Sequence, residues 1–196
     1  NGPGTGKLSL VKTGGSTQVL SGVNPYSGST TISGGTLSLS GSGSIASSTP
    51  ISIGSGATLD VAKRTDQTLT LNSGQTLAGD GVLNGNLVAL AGSVVNPGTT
   101  VGTLHVSNNI TLGGTLVLEL NQTNAQTCDQ LVSSQGTITY GGALLVTNVG
   151  PAVQVGSVFQ LFPSAVSAFT SIQVATNDAT GSVYTWTNKV AIDGSI

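Results

Sequence analysis

The sequence predicts an all-β protein built as a parallel β-helix, a β-solenoid. Three observations carry that expectation. Short apolar–polar alternations recur with glycine every few residues, as in the segment LVKTGGSTQVLSGVNPYSGSTTISGGTLSLS over residues 10–40. The unit Gly-Thr-Leu-x-Leu appears at residues 35–39 and again at 114–118, and repetition of one strand-and-turn unit builds a coil. No window shows the 3.6-residue apolar period of a helix.

The middle of the chain sets the expected pitch. The first apolar residues of successive short strands are Ile51, Leu59, Leu69, Leu77, Leu87, Val94 and Leu104. Alternate members recur at nearly constant steps, with Ile51, Leu69, Leu87 and Leu104 in one series and Leu59, Leu77 and Val94 in the other. That regularity implies two strands and two turns per coil of about 17–18 residues. At a rise of ~3.3 Å per residue, three- to five-residue strands fit a narrow solenoid.

Alternation assigns the faces. Leu37 and Leu39 are expected inside, with Thr36 and Ser38 in water. Residues 57–61 (ATLDV) and 68–71 (TLTL) repeat the pattern. Glycine precedes many strands because a corner needs positive φ or close approach between coils. Asn96-Pro97-Gly98 and Asn24-Pro25-Tyr26 are turn signals of the same kind.

Beyond Leu120 the rhythm changes. Residues 121–134 (NQTNAQTCDQLVSS) are polar and lead into Leu131-Val132. Strands are expected near residues 136–139, 143–146 and 158–162. The three Phe (Phe159, Phe162, Phe169) and the single Trp (Trp186) all follow residue 150. The division expected is therefore solenoid repeats over 1–120 and, over 121–196, a more irregular, aromatic-containing β-rich continuation or cap.

Composition narrows the class. Glycine contributes 29 residues and hydrophobic residues 37%, enough apolar content to separate the chain from a disordered linker. Charged residues are 6%, against roughly 25% in an ordinary soluble domain. Lys7, Lys12, Lys63, Arg64 and Lys189 are scattered, so no cationic cluster suits nucleic acid. No apolar run reaches the ~20 residues of a membrane-spanning helix. Residues 1–4 (NGPG) read as a mature or excised start. One cysteine, Cys128, excludes an internal disulfide, and the low charge suits a secreted or cell-surface protein. The triplets Asn109-Ile110-Thr111 and Asn121-Gln122-Thr123 match the N-glycosylation pattern by chance.

Several segments resemble the autotransporter-associated β-strand repeat family of large bacterial surface and secreted proteins. They are Lys12-Thr13-Gly14, residues 19–24 (VLSGVN), Tyr26-Ser27-Gly28 and residues 30–37 (TTISGGTL). Residues 74–81 (GQTLAGDG), Asn96-Pro97-Gly98, residues 101–104 (VGTL), residues 129–132 (DQLV) and the stretch from Trp186 to Gly194 are also similar. The resemblance implies a right-handed parallel β-helix that is exported and serves as a stalk, adhesin or surface layer. It brings no catalytic residues with it.

Catalysis on such a fold would fall to its acids, which are Asp60, Asp66, Asp80, Glu119, Asp129, Asp178 and Asp193. A polysaccharide-cleaving β-helix needs such groups together on one face, for acid–base work or Ca²⁺. Asp60 and Asp80 are separated by little more than one expected coil and could adjoin; isolated turn-capping Asp is the simpler reading. His105 and Glu119 occupy outward strand positions, and one His makes neither a metal site nor a triad. Cys128 reads as a bystander thiol, with an intermolecular disulfide as the alternative. The residues 2–7 (GPGTGK) lack the spacing of a phosphate loop. Thr68-x-Thr70 and Thr137-x-Thr139 resemble ice-binding threonine ladders, which require the same pair to stack on several successive coils, and the other coils vary. For sugar stacking the candidates are Tyr26, Tyr140, Tyr184 and Trp186.

The expectation is thus an extracellular structural subunit of a surface fibre, filament or stalk. It has no catalytic, cofactor-binding or metal-binding residues and no cofactor. Its partners are further copies, joined head to tail, or cell-surface polysaccharide. The alternatives are a carbohydrate-binding adhesin and a carbohydrate-active β-helix enzyme.

Overall fold

The computed structural model describes residues 7–175, 183 and 185–196. The glycine-rich start, Asp178 and Tyr184 lie outside the described residues. Eighteen strands and no helix are found among those described. The first coils hold two strands each: β1 (Leu10–Lys12) and β2 (Thr17–Leu20), then β3 (Thr30–Ile32) and β4 (Thr36–Gly41). Three-strand coils follow. They are β5 (Ile51–Ile53), β6 (Thr58–Arg64) and β7 (Thr68–Leu71); β8 (Thr76–Gly79), β9 (Val82–Asn84) and β10 (Asn86–Ala89). The next two are β11 (Val94–Pro97), β12 (Thr103–Val106) and β13 (Ile110–Leu112); β14 (Thr115–Leu120), β15 (Gln130–Ser133) and β16 (Ile138–Thr139). Finally β17 (Ala143–Asn148) and β18 (Ser171–Val174) close the series.

These strands stack in three parallel sheets, the arrangement of a β-solenoid. An eight-stranded sheet runs β1-β3-β5-β8-β11-β14-β17-β18, a six-stranded one β15-β12-β9-β6-β4-β2, and a four-stranded one β16-β13-β10-β7. The eight-stranded sheet passes residue 120 without a break, since β14 pairs with β17 from Thr115↔Ala143 to Leu120↔Asn148.

The core is a set of aliphatic ladders. Ile51 lies on Leu77, Leu77 on Val95, Val95 on Leu116, and Leu116 on Leu144. Leu37, Leu59 and Leu83 form a second column, Leu69, Leu87 and Ile110 a third. All of these are buried. Each fully buried Leu or Ile contributes about 1.5–3 kcal/mol relative to exposure.

The expected coil of two strands and constant length is corrected. Partners in the eight-stranded sheet run from Leu10 through Thr30, Ile51, Leu77, Val95, Leu116 and Leu144 to Ile172, at unequal steps along the chain. The step from Leu77 to Val95 keeps the expected length, as does that from Leu69 to Leu87 in the four-stranded sheet; the other steps of the eight-stranded sheet are longer. The strand that the spacing overlooked is β9, three residues long. It is parted from β10 by Gly85 alone, at φ 131°. A Cβ there would press on Val61 and the Gln67 carbonyl, so only glycine makes this corner.

Two further expectations change. Ser38 and Asp60, assigned to water, are buried. The pair sits beside a β-bulge in β6, where Ser40 aligns with Lys63 rather than Ala62. Residues 158–162 form no strand; Gln160 makes a single antiparallel bridge to Ser195. With Ile196 they close the end of the core: Phe159, Leu161, Phe162, Val190 and Ile196 are all buried. Tyr140, Phe162 and Phe169 pack ring against ring at 5.3–5.7 Å, and Phe159 meets Trp186 at 6.0 Å.

Candidate functional site

The stacking register governs where the acids fall. Asp60 lies opposite Asn84, not Asp80. The Asp60 carboxylate accepts hydrogen bonds from Ser38 Oγ (3.1 Å), Asn84 Nδ2 (2.9 Å) and the Ala62 N–H (3.1 Å). It thereby fixes the bulge and ties three coils. Asp60 and Asp80 are not brought together as a pair. Asp66 forms an ion pair with Arg64 at 2.9 Å, and the guanidinium also donates to the Gly43 carbonyl. Arg64 holds the Asp66 carboxyl below its ordinary range. Asp193 is exposed and accepts from Ser195, which lowers its pKa.

Asp129 is fully buried. Its carboxylate accepts the N–H of Glu119 at 2.7 Å and that of Gly102 at 2.8 Å. Gly98, at φ 84°, leaves the space: a Cβ there would come within 2.8 Å of the Asp129 oxygen. Burial pushes Asp129 up to about 7, opposed by its two N–H bonds and reinforced by Glu119. Glu119 is itself raised by burial. A carboxyl poised near neutrality suits acid–base chemistry. Both its oxygens, however, are occupied by backbone donors.

Cys128 is buried rather than displayed on a polar loop, and its Sγ lies 3.1 Å from the Gln160 carbonyl. Burial, with Asp129 adjacent, pushes the thiol up to about 11. That environment disfavours the thiolate needed for nucleophilic attack or disulfide exchange. His105 faces outward and is exposed. Among the described residues no three His, Cys, Asp or Glu side chains could share a metal ion. Tyr26 is buried, while Tyr140 and Trp186 are partly buried against the core.

The first two coils are tied by polar groups that composition does not reveal. Lys12 is nearly buried, and its ammonium donates to the carbonyls of Thr13 (2.8 Å), Gly14 (2.8 Å) and Gly34 (2.9 Å). It caps two successive turns. Tyr26 Oη lies 2.6 Å from Thr30 Oγ1, which lies 2.7 Å from Ser48 Oγ. Gln75 Nε2 extends this buried chain by donating to the Ser48 carbonyl at 2.7 Å. Residues 10–39 match the passenger-associated-transport-repeat. The resemblance to autotransporter-associated repeats holds over that stretch. No curated protein and no solved structure matches the chain.

The passenger-associated-transport-repeat thus spans β1 to most of β4, one full strand-stacking step in both of the sheets it enters. Its Lys12-Thr13-Gly14 turn is the lysine-capped one, and its Tyr26 and Thr30 start the polar chain into the next coils. Beyond the repeat, Gly102 and Asp129 are in hydrogen-bond contact. Two depressions lie near the C-terminal end. One, about 540 Å³, is bounded by Leu131, Ile138, Tyr140, Leu161 and Phe162; the other, about 660 Å³, by Val153, Ser157, Trp186 and Lys189. Among the described residues no Asp or Glu lines either one.

Proposed function

We propose that the chain is an extracellular structural module, a non-catalytic β-solenoid segment of a surface stalk or filament. The observation that carries this reading is the eight-stranded sheet that continues from Leu10 to Val174 through every coil. The match to the passenger-associated-transport-repeat over residues 10–39 supports export to the cell surface or beyond. The titratable groups support the absence of catalysis, since Asp60, Asp129 and Lys12 each commit their polar atoms to tying coils together.

Self-association end to end is the assembly this reading favours. β18 is the last strand of the eight-stranded sheet, with no further strand beyond it among the described residues. Its sequence, SIQV, carries no charge and no proline, the usual devices that blunt an edge. A strand added there from another copy would continue the sheet. Electron microscopy of the purified chain over a concentration series tests the proposal. Rods or filaments that lengthen with concentration are expected; discrete single particles at high concentration would overturn end-to-end assembly. Release of reducing ends from a panel of bacterial and plant polysaccharides would overturn the non-catalytic reading.

A further inference from the structure

The four-stranded sheet unites two motifs that stand far apart in the sequence, Thr68-x-Thr70 and Thr137-x-Thr139. Thr70 lies beside Val88, Val88 beside Thr111, and Thr111 beside Thr139. All four project away from the core, because their neighbours Leu69, Leu71, Leu87, Ala89, Ile110 and Leu112 are buried. A second outward column precedes the first by two positions: Thr68, Asn86, Asn109 and Thr137. Together the strands present the pairs T-x-T, N-x-V, N-x-T and T-x-T on one face.

The two columns differ in what their polar groups do. In the second, Asn86 Oδ1 accepts the Asn109 N–H at 3.2 Å, and Asn109 Oδ1 accepts the Thr137 N–H at 3.0 Å. That amide ladder pins the corner. The hydroxyls of Thr70, Thr111 and Thr139 have no hydrogen-bond partner among the described residues, and the three residues are exposed to solvent. β-Branching restricts χ1, so each presents its hydroxyl and methyl in few orientations. No charged residue lies in β7, β10, β13 or β16.

Spacing, rigidity and neutrality point to one ligand. Strands stand ~4.8 Å apart and alternate residues ~6.6 Å apart along a strand, a rectangular grid with threonine at 68, 70, 111, 137 and 139 and with Asn86, Val88 and Asn109 at the remaining points. Those two repeats approximate the separations of oxygen rows on a prism face of hexagonal ice. Charges would order their own hydration shells against such a lattice, and these strands have none. They also lack aromatic rings for sugar stacking. At ~14 Å across four strands the face is far smaller than the ~800 Å² per partner of a stable protein interface. We propose that the outer face of the four-stranded sheet binds ice, by holding ordered water on the Thr70–Val88–Thr111–Thr139 column.

The test uses the full chain and three variants in an ice-recrystallisation assay, with single-crystal growth observed in parallel. The unaltered chain is expected to slow coarsening several-fold against an inert protein of equal mass and to facet growing crystals. T111K places a charge mid-column and is expected to abolish both effects, whereas H105K, on the six-stranded sheet, leaves them intact. T139K, on the outermost strand where crowding is least, gives a second reading should T111K fail to fold, as judged by thermal unfolding. The proposal is overturned if the unaltered chain coarsens like the inert control, or if folded T111K or T139K matches the unaltered chain. Binding to insoluble polysaccharide that T111K removes, without any effect on ice, would overturn it in favour of a glycan face. The outcome is independent of filament formation, because this face lies along the stack and not at its end.

Discussion

The Asp129 carboxylate accepts the Gly102 N–H at 2.8 Å, and so ties the start of β15 to the start of β12. Burial pushes this group up to about 7, whereas an aspartate in an unfolded chain titrates near ~3.9. Between those values the folded protein keeps a proton that the unfolded chain has released. The contribution of Asp129 to stability is therefore full below about pH 4 and is lost as pH rises through about 7. Urea titrations at intervals from pH 4 to 8 should show the decline, and Asp129→Asn should flatten it. A residual slope of the same sign is expected from Glu119, which burial also raises. Stability that climbs across this range would contradict the assignment.

Cys128 should be silent in the native protein. Its side chain is 3% exposed and its thiol is pushed up to about 11, so the thiolate is scarce and shielded at neutral pH. Labelling by a disulfide reagent is expected to be slow in buffer and immediate in denaturant. A disulfide-linked dimer on a non-reducing gel of native protein would refute this.

Leu87→Ala removes the middle rung of the Leu69–Leu87–Ile110 column. A cost of about 2–5 kcal/mol is expected from lost burial and the cavity left behind. His105→Ala, at an exposed strand position, should change stability by no more than about 0.5 kcal/mol. Chemical denaturation of the two variants side by side checks the assignment of inner and outer faces.

Gly85→Ala combines a positive φ of 131° with a Cβ that meets Val61 and Gln67. Backbone strain of about 1–3 kcal/mol is expected before any steric cost. Gly41→Ala also sits at positive φ, 57°, but a Cβ there meets nothing within 4 Å. Its loss should be the smaller of the two in thermal unfolding, and the reverse order would show that crowding at the β9–β10 corner is not what demands glycine.

Alternation made the aliphatic columns legible: Leu37, Leu59 and Leu69 are inward where a two-residue period places them. The three-sheet cross-section was harder to read, because β9 is three residues long and its corner is a single glycine. Spacing between neighbouring strands does not determine spacing between stacked ones when corner lengths vary. The polar ties stayed hidden for a related reason. Lys12 meets Gly34, Ser38 meets Asp60 and Asp129 meets Gly102 only through the stacking register, and the separation along the chain is not constant among them. The threonine pairs show the same effect in reverse. They look isolated along the chain, yet Val88 and Thr111 complete their column.

The unequal steps along the eight-stranded sheet separate two quantities that most folds link. The coil from Leu77 to Val95 is short and the coil from Leu116 to Leu144 is much longer, yet each adds a single strand to the sheet. Extra chain leaves sideways at the corners, as in the stretch 121–129, and does not lengthen the axis. The molecule is a ruler graduated in strands. Decoration at a corner can be enlarged, trimmed or exchanged while the distance between the first and last strands of the sheet stays the same.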